Sequence, residues 1–228
     1  MDAFTEFLRE NRDRKTVTIT PGGNHGDTLI HMGLVKKLDE YGFEYDCLNL
    51  EHEYKRNLAL GGKYLLNIVF WKFELDLGFR LLDIPEDAEL IMFEGGGYMN
   101  DIWYGPSLLR RVMKYCGAPI AIGPQSYIFT KTRIADYFMD GREATLFCRE
   151  RYSYDHLHEQ GLPANVDVKL SPELALYLDP EDLEGFTEPK EELYQLVAMR
   201  QDKESAVSEK LLREVQGACD NPATRDIS

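Results

Sequence analysis

Long apolar runs are missing from this sequence. No stretch reaches about 18 consecutive apolar residues, the length typical of a transmembrane helix. The opening residues, MDAFTEFLRENRDRK, are charged throughout and lack the apolar core of a signal peptide. We therefore expect a cytoplasmic protein with no stable membrane insertion.

Positive charge is also scarce. The chain carries 26 Lys and Arg against 40 Asp and Glu, which gives a formal net charge of −14. Such a surplus repels nucleic-acid phosphates and anionic lipid unless the positive residues are locally concentrated. We expect no nucleic-acid partner, and the charge disfavours a role at membrane surfaces.

The sequence has few cysteines and no CxxC pair. Three of the four, Cys47, Cys116, Cys148 and Cys219, lie beside apolar residues in or near predicted elements, as buried thiols do. We expect them to be reduced and structural. Neither the cysteines nor the histidines have the spacing of metal ligands, so we expect no metal and no cofactor.

The sequence does contain a repeated alternation of short β-rich runs and amphipathic helical patterns, within a chain that is 43% hydrophobic. This alternation predicts an α/β, Rossmann-like fold with a mainly parallel sheet and helices on both faces. The β-rich runs begin at residues 16, 43, 88, 119, 144, 166 and 194. The helical patterns span residues 27–41, 106–117, 131–140, 150–160 and 203–217.

Composition divides the chain near residue 178. We predict a Rossmann-like N-terminal domain at 1–178 and an acidic linker at 179–192, where prolines and carboxylates replace periodicity. The remaining residues, 193–228, contain one strand, one helix and a polar tail. We interpret them as the start of an incomplete second Rossmann-like domain, because one βα unit cannot bury its own apolar face.

The loop after the first strand, PGGNHGDT, is a candidate ligand site, since ligands of such sheets gather outside the carboxyl ends of the strands. Its glycines allow a ligand to approach main-chain N–H groups. The loop matches neither GxGxxG nor GxxxxGK[ST], so those fingerprints support no nucleotide site. An equally good reading is a turn in which Asp27 caps the helix. Asp27 and His31 can meet on one helix face, or His31 is simply solvated.

Two further strands end in glycine or polar loops. After the strand at 88 comes EGGGYMNDIWYGP, where Gly95, Gly96 and Gly97 can aim consecutive amides at an anion and Asp101 precedes the next helix. After the strand at 119 comes PQSYIF, where Gln125 and Ser126 suit sugar hydroxyls, or form a proline-initiated turn. Three such loops at the ends of three parallel strands are more informative than any one of them.

These loops carry a family resemblance. The ordered motifs resemble those of the polysaccharide pyruvyl transferase family over residues 17–178: GGNHGDTLI, EGGGYMNDIWYGP, IGPQSYIF, LFCRERYSYDHLHEQG and VKLSPELAL. The resemblance implies the N-terminal half of a two-Rossmann-domain, GT-B-like glycosyltransferase fold. It also implies transfer of an enolpyruvyl unit from phosphoenolpyruvate, usually as a pyruvate ketal, to a sugar of a cell-surface or exported polysaccharide.

The resemblance also implies site residues. Those that match family positions are Gly23, Asn24, Gly26, Asp27, Gly95, Gly96, Gly97, Asp101, Gln125, Ser126, Arg149 and Arg200. Departures occur where many relatives have another residue: Glu94, Tyr98 and Asn100 in the glycine loop, Glu150 after the arginine, and Ser171 in SPELAL. Because of these departures, the detailed shape of the family's loops is not carried over to this chain.

The implied chemistry needs a base, an acid and an anion clamp. Asp27 or His25 is the candidate base, and Glu94 is a weaker candidate for proton transfer. Arg149 and Arg200 can pair with phosphate or carboxylate bidentately, although Arg149 is equally placed for a structural salt bridge. The expected partners are phosphoenolpyruvate and a sugar or glycan-lipid acceptor.

Relatives in this family carry a second domain of comparable size. The sequence therefore leaves three hypotheses open. The chain is a pyruvyl transferase-like enzyme, with a homo-oligomer or partner chain completing the cleft. Alternatively, it is a non-catalytic module or shortened transferase subunit that binds a glycan or nucleotide sugar. The third hypothesis is a GT-B-like glycosyltransferase that uses a nucleotide-sugar donor.

Overall fold

The computed structural model describes residues 1–23, 25–73, 75, 77–184, 195–199, 208–219 and 222–226. The chain divides into two compact units. The first comprises Met1–Gly23 and Asp27–Leu178, and the second comprises Asn24–Gly26 and Asp179–Ser228. None of the helices in the described ranges is long and apolar enough to cross a membrane.

The first unit is built on a six-stranded sheet in which every pairing is parallel. The strands are β1 (Thr16–Thr20), β2 (Tyr45–Asn49), β3 (Leu90–Phe93), β4 (Ile120–Gln125), β5 (Ala144–Cys148) and β6 (Val166–Leu170). Their order across the sheet is β2-β1-β3-β4-β5-β6. This confirms the predicted α/β, Rossmann-like parallel sheet.

Helices cover both faces of this sheet. They are α1 (Ala3–Asn11), α2 (His25–Tyr41), α3 (Leu50–Arg56), α4 (Leu58–Lys72), α5 (Gly105–Tyr115) and α6 (Arg151–Glu159). Side chains of β3 alternate between the two faces, as the pleat requires. Leu90 and Met92 pack in the cluster formed with α1 and α2, whereas Ile91 and Phe93 pack in the cluster formed with α5 and α6.

Within the described residues, three helices are not predicted by the sequence patterns: α1, α3 and α4. The first begins where the carboxylate of Asp2 accepts hydrogen bonds from the amides of Phe4 and Thr5, at 3.1 and 3.0 Å. Phe4, Phe7 and Leu8 then lie on one buried face of α1. The apolar residues of this short segment therefore do have helical spacing, but the many charged residues around them obscured the pattern in the sequence.

The helix predicted at 131–140 is wrong in type and extent. The structure has a 3-10 helix at Ile134–Phe138, preceded by an extended Arg133. The amides of Thr130, Lys131 and Thr132 donate to the carboxylate of Asp101, which holds these residues outside any helix. A side chain from a distant loop thus overrides a local helical pattern.

The cysteines differ in burial from the sequence expectation. Cys148 is buried on β5, but Cys116 and Cys219 are only half-buried and Cys47 is exposed. Cys47 lies on β2, which is at the edge of the sheet and has no buried position. All four cysteines are free.

The second unit contains β7 (Gln195–Met199), α7 (Glu209–Gly217) and β8 (Pro222–Asp226). The two strands pair in parallel, with Gln195 opposite Pro222 and Met199 opposite Asp226. The residues that we predicted to be a polar tail therefore include a strand, and the sequence PATRD gave no alternating pattern that would reveal it. A 3-10 helix at Pro180–Leu183 lies within the predicted linker, most of which falls outside the described residues.

Candidate active site

The candidate site lies where β1 and β3 end. These strands are neighbours in the sheet, and β2 pairs with β1 on its other side. Connections from β1 and β3 therefore run to opposite sides, which creates a crevice at their carboxyl ends. Thr20 ends β1 and Glu94 directly follows β3, so both side chains lie at this switch point.

Three polar side chains form a cluster there. Glu94 is 2% exposed, and its Oε2 atom accepts hydrogen bonds from the Thr20 hydroxyl and from Nδ1 of His31, the latter at 3.0 Å. Thr20 Oγ1 also lies 3.4 Å from Nδ1 of His31. The hydrogen bond to Glu94 raises the pKa of His31, although burial opposes it. The histidine is thus biased toward its protonated form beside a buried carboxylate.

The main chain of Glu94 is held on both sides. Its amide donates to the carbonyl of Ile19 at 3.0 Å, and its carbonyl accepts from the Tyr98 hydroxyl at 2.6 Å and from Gln125 Nε2 at 3.0 Å. Burial raises the pKa of Tyr98 well above its usual range, so this hydroxyl stays a donor. The main chain of Glu94 is therefore fixed in position by its neighbours.

Asp27 lies between the two glycine loops. A Cβ placed on Gly23 would lie 1.8 Å from Oδ2 of Asp27, so only glycine allows the carboxylate to approach this closely. A Cβ on Gly96, whose φ is +128°, would lie 3.6 Å from Oδ1 of the same residue. The first turn of α2 thus aims a carboxylate at the glycine loop after β3.

The three amides of Gly95, Gly96 and Gly97 do not act as one anion-binding set. The amide of Gly96 donates to the Pro124 carbonyl at 2.9 Å, and its carbonyl accepts from the Ser126 amide. Gly96 also bridges to Gln125 in parallel, so the loop continues the β3–β4 ladder. The entropic cost of three glycines is explained by close packing, because a Cβ on Gly95 would lie 2.6 Å from the Pro124 carbonyl oxygen.

A second group of polar side chains lies at the ends of β4 and β5. Arg149 donates from Nε to Ser126 Oγ at 2.7 Å and from Nη1 to Glu173 Oε2 at 2.5 Å. Ser126 in turn donates to Glu150 at 3.1 Å, and Ser153 also bonds to Glu150. A Cβ on Gly97 would lie 3.6 Å from Nη2 of Arg149, so the guanidinium faces the glycine loop.

Comparison with known proteins identifies the family. The family model described as polysaccharide pyruvyl transferase matches residues 24–221. The chain belongs to the polysaccharide pyruvyl transferase family. No protein of curated function matches it significantly.

The fold of this polysaccharide pyruvyl transferase family member recurs in the crystal structure of a functionally uncharacterized protein from Klebsiella pneumoniae subsp. pneumoniae NTUH-K2044. The superposition has a TM-score of 0.56 at 16% sequence identity and covers 88% of this chain. The chain spans 65% of the length of that protein. At this identity the likeness concerns the fold alone.

The structure brings most predicted site residues of this family member to one edge of the sheet. Gly23, Asp27, Glu94, Gly95, Gly96, Gly97 and Gln125 surround the ends of β1 and β3, and Ser126 and Arg149 adjoin them. Gly26 lies exposed in the first turn of α2, and His25 begins that helix. The side chain of His25, and all of Asn24 and Arg200, lie outside the described residues.

Asp101 faces a loop rather than the glycine residues. Its Oδ2 atom accepts from the amides of Thr130 and Lys131 at 2.6 and 2.7 Å, and Oδ1 accepts from the amide of Thr132 at 3.1 Å. Burial raises its pKa, but hydrogen bonds from these three residues outweigh that effect and lower the pKa below its usual value. Its assignment as a binding residue stays a prediction.

Sequence reasoning missed the parts played by Thr20 and His31. It offered His31 either as a partner of Asp27 or as a solvated side chain, whereas the structure pairs it with Glu94. Positions 31 and 94 are far apart in the chain, and no local pattern connects them. The available signal was indirect: a glutamate where many relatives have glycine, and a polar residue at the last position of a buried strand.

Proposed function

We propose that this protein transfers a pyruvyl unit in the cytoplasm from phosphoenolpyruvate to a sugar of a cell-surface or exported glycan. The acceptor is a free or lipid-linked glycan intermediate, and the product is a pyruvate ketal. The observation that carries the proposal is the buried Glu94, paired with His31, beside the glycine loop that Asp27 approaches, in a chain of the polysaccharide pyruvyl transferase family.

The reaction requires two proton movements and one departing phosphate. A sugar hydroxyl adds to C2 of phosphoenolpyruvate while the terminal CH2 carbon takes a proton and becomes a methyl group. The C2–O bond to phosphate then breaks, and its electron pair leaves with phosphate. A second hydroxyl of the same sugar bonds to C2 and closes the ketal. Of the two hydroxyl protons, one balances the proton gained by the methyl carbon and the other leaves with phosphate or solvent.

We assign the protein groups by their surroundings. Asp27 is the base that accepts a proton from the attacking hydroxyl. His31 is the acid, because the hydrogen bond to Glu94 raises its pKa and so favours the protonated form that can donate. Since Nδ1 bonds to Glu94, Nε2 is the nitrogen that delivers the proton. Glu94 orients the ring and stabilises its charged form.

Arg149 is the candidate anion clamp among the described residues. Its guanidinium faces Gly97 and already donates to Ser126 and Glu173, which fixes its plane. A planar guanidinium held in this way suits the carboxylate or phosphate of the donor, since two parallel hydrogen bonds can form. The resemblance implies that Arg200 contributes from the C-terminal region.

The proposal is tested by following product. The full chain is incubated with phosphoenolpyruvate and a panel of free and lipid-linked sugars, and glycans are analysed by mass spectrometry for a ketal-linked pyruvyl group. Parallel reactions supply nucleotide sugars as donors, and each is repeated over a range of protein concentrations. We expect pyruvylated product with phosphoenolpyruvate only. Sugar transfer from a nucleotide donor, or glycan binding without any transfer, would contradict the proposal and favour the two alternative functions.

A further inference from the structure

Helix α4 has two apolar faces. Its inner face packs Leu60, Tyr64 and Ile68 against the core, and buried Asn67 anchors it there by hydrogen bonds with the main chain of Phe79 at 2.7 and 2.8 Å. The opposite face carries exposed large apolar side chains, which we call the outer stripe: Leu58, Leu65, Leu66, Val69 and Phe73. The inner face alone accounts for the packing of the helix, so the outer stripe has no role in the core.

The outer stripe is continuous. At 100° per residue, its members fall within an arc of about 100° along a helix of about 22 Å. Leu58 is 93% exposed and Phe73, which caps the helix, is 72% exposed. Exposure on this scale costs free energy unless another surface covers the helix.

The charges around the stripe are unusual for this chain. Helix α4 itself has two basic side chains, Lys63 and Lys72, and no acidic one, although the whole chain has a net charge of −14. On the helical projection, Lys63 and Lys72 lie on opposite flanks of the outer stripe. Positive charge is therefore locally concentrated here, which is the condition under which an acidic protein can still approach an anionic surface.

A groove adjoins the end of α4 and extends the basic character. It encloses about 870 Å³ and is lined by Trp71 and Tyr137, by five basic side chains and by three aspartates. The basic residues are Lys72, Arg110, Lys114, Lys131 and Arg133. One aspartate, Asp101, directs its carboxylate to the main chain of the loop at 130–132. The groove thus offers a place for anionic headgroups beside the stripe.

We propose that the outer stripe of α4 docks on the surface of an anionic lipid bilayer. The apolar side chains enter the boundary between headgroups and acyl chains, while Lys63 and Lys72 extend to the lipid phosphates. A second copy of this chain fits less well, because a two-fold contact would place the lysines of one stripe against those of the other. This proposal does not depend on the transfer reaction.

The experiment is flotation of the full chain with vesicles of phosphatidylcholine alone or with about 30% phosphatidylserine. We expect binding to the anionic vesicles that weakens as salt rises. The double variant Leu65→Glu, Val69→Glu should lower the bound fraction about tenfold or more, because charge replaces the centre of the stripe. Leu176→Glu, Leu211→Glu is the matched control, since it adds equal charge at exposed leucines elsewhere. It should bind as the wild type does.

Circular dichroism melts of each variant confirm that the fold is retained. Equal flotation with neutral and anionic vesicles, or none with either, overturns the proposal. So does an equal loss in both double variants, which would reflect net charge alone. A wild-type dimer in lipid-free buffer that the Leu65→Glu, Val69→Glu change dissociates would assign the stripe to self-association instead.

Discussion

The two ends of the candidate site are built differently. At the ends of β1 and β3, the buried carboxylate of Glu94 accepts hydrogen bonds from Thr20 and from the half-exposed His31. At β4 and β5, Arg149 lies in a more open network with Ser126, Glu150 and Glu173. The hydrogen bond to Glu94 raises the pKa of His31 at the first end, whereas an open network mainly fixes the position of Arg149 at the second. We therefore assign proton transfer to the first end and anion binding to the second.

The largest effect is expected from His31→Gln. Glutamine keeps a polar side chain beside Glu94 but cannot donate a proton at neutral pH, so kcat should fall by about 10²- to 10⁴-fold. The measurement is the steady-state rate of pyruvyl transfer. His52→Gln is the control, because His52 is an exposed histidine on α3. A rate within twofold of wild type for His31→Gln would break the assignment of acid chemistry to this end.

Arg149→Lys tests the other end. Lysine cannot donate in two directions from one plane, so Ser126 and Glu173 lose part of their anchoring and the donor loses a bidentate partner. We expect the KM for phosphoenolpyruvate to rise about tenfold, with a smaller change in kcat. Arg151→Lys is the matched control, since Arg151 pairs with Asp155 at 2.9 Å on the exposed side of α6. Unchanged KM in Arg149→Lys would remove this arginine from the donor site.

Glu94→Gln tests whether the carboxylate of Glu94 controls the pKa of His31, since glutamine can still hold the imidazole ring in place. The pKa should fall toward the ordinary value of about 6.5, which NMR titration of the imidazole would follow. Because the folded pKa is raised, the pair stabilises the protein below the unfolded pKa and loses this effect as pH rises through the folded pKa. Urea unfolding should therefore show a larger cost of Glu94→Gln at acidic than at alkaline pH. A cost independent of pH would mean that the pair does not control the histidine charge.

The smallest effect on turnover is expected from Asp101→Asn. Its carboxylate accepts three main-chain hydrogen bonds, so the variant should lose about 1–3 kcal/mol of stability with kcat nearly unchanged. The wild-type contribution is present above the unfolded pKa of about 3.9 and disappears as pH falls through the lowered folded pKa. Thermal melts measure this loss, with exposed Asp136→Asn as the control. A large fall in kcat with an intact melt would instead place Asp101 against substrate.

Much of the fold could be predicted because it is encoded locally. Buried parallel strands such as TVTIT and ATLFC are short apolar or β-branched runs, and glycine or polar loops follow three of the strands. The six strands of the main sheet were found in this way. The pairing of His31 with Glu94 could not be predicted. It depends on the parallel pairing of β1 with β3, which brings the helix after β1 next to the end of β3. The same is true of the Asp101 contacts, which replaced a predicted helix by a loop.

Helix α4 was missed for a different reason. Both its faces are apolar, so the periodic contrast between a buried and a solvated side is lost. β8 was missed because its PATRD sequence has no alternation of apolar and polar residues. In both cases the sequence pattern was uninformative, and the packing of neighbouring elements determined the structure.

Phosphate release from phosphoenolpyruvate is the decisive measurement for the role of Asp27 in transfer. The rate is measured with a sugar acceptor for the wild type, for Asp27→Asn, and for Asp46→Asn, which removes an exposed carboxylate from the edge strand β2. We expect acceptor-dependent release by the wild type and by Asp46→Asn. In Asp27→Asn we expect a loss of about 10²-fold or more with an unchanged melting temperature. Wild-type turnover in Asp27→Asn with the fold intact would contradict this assignment. Asp27 would then be only an acidic residue in the first turn of α2, which begins at His25 rather than after a cap at Asp27.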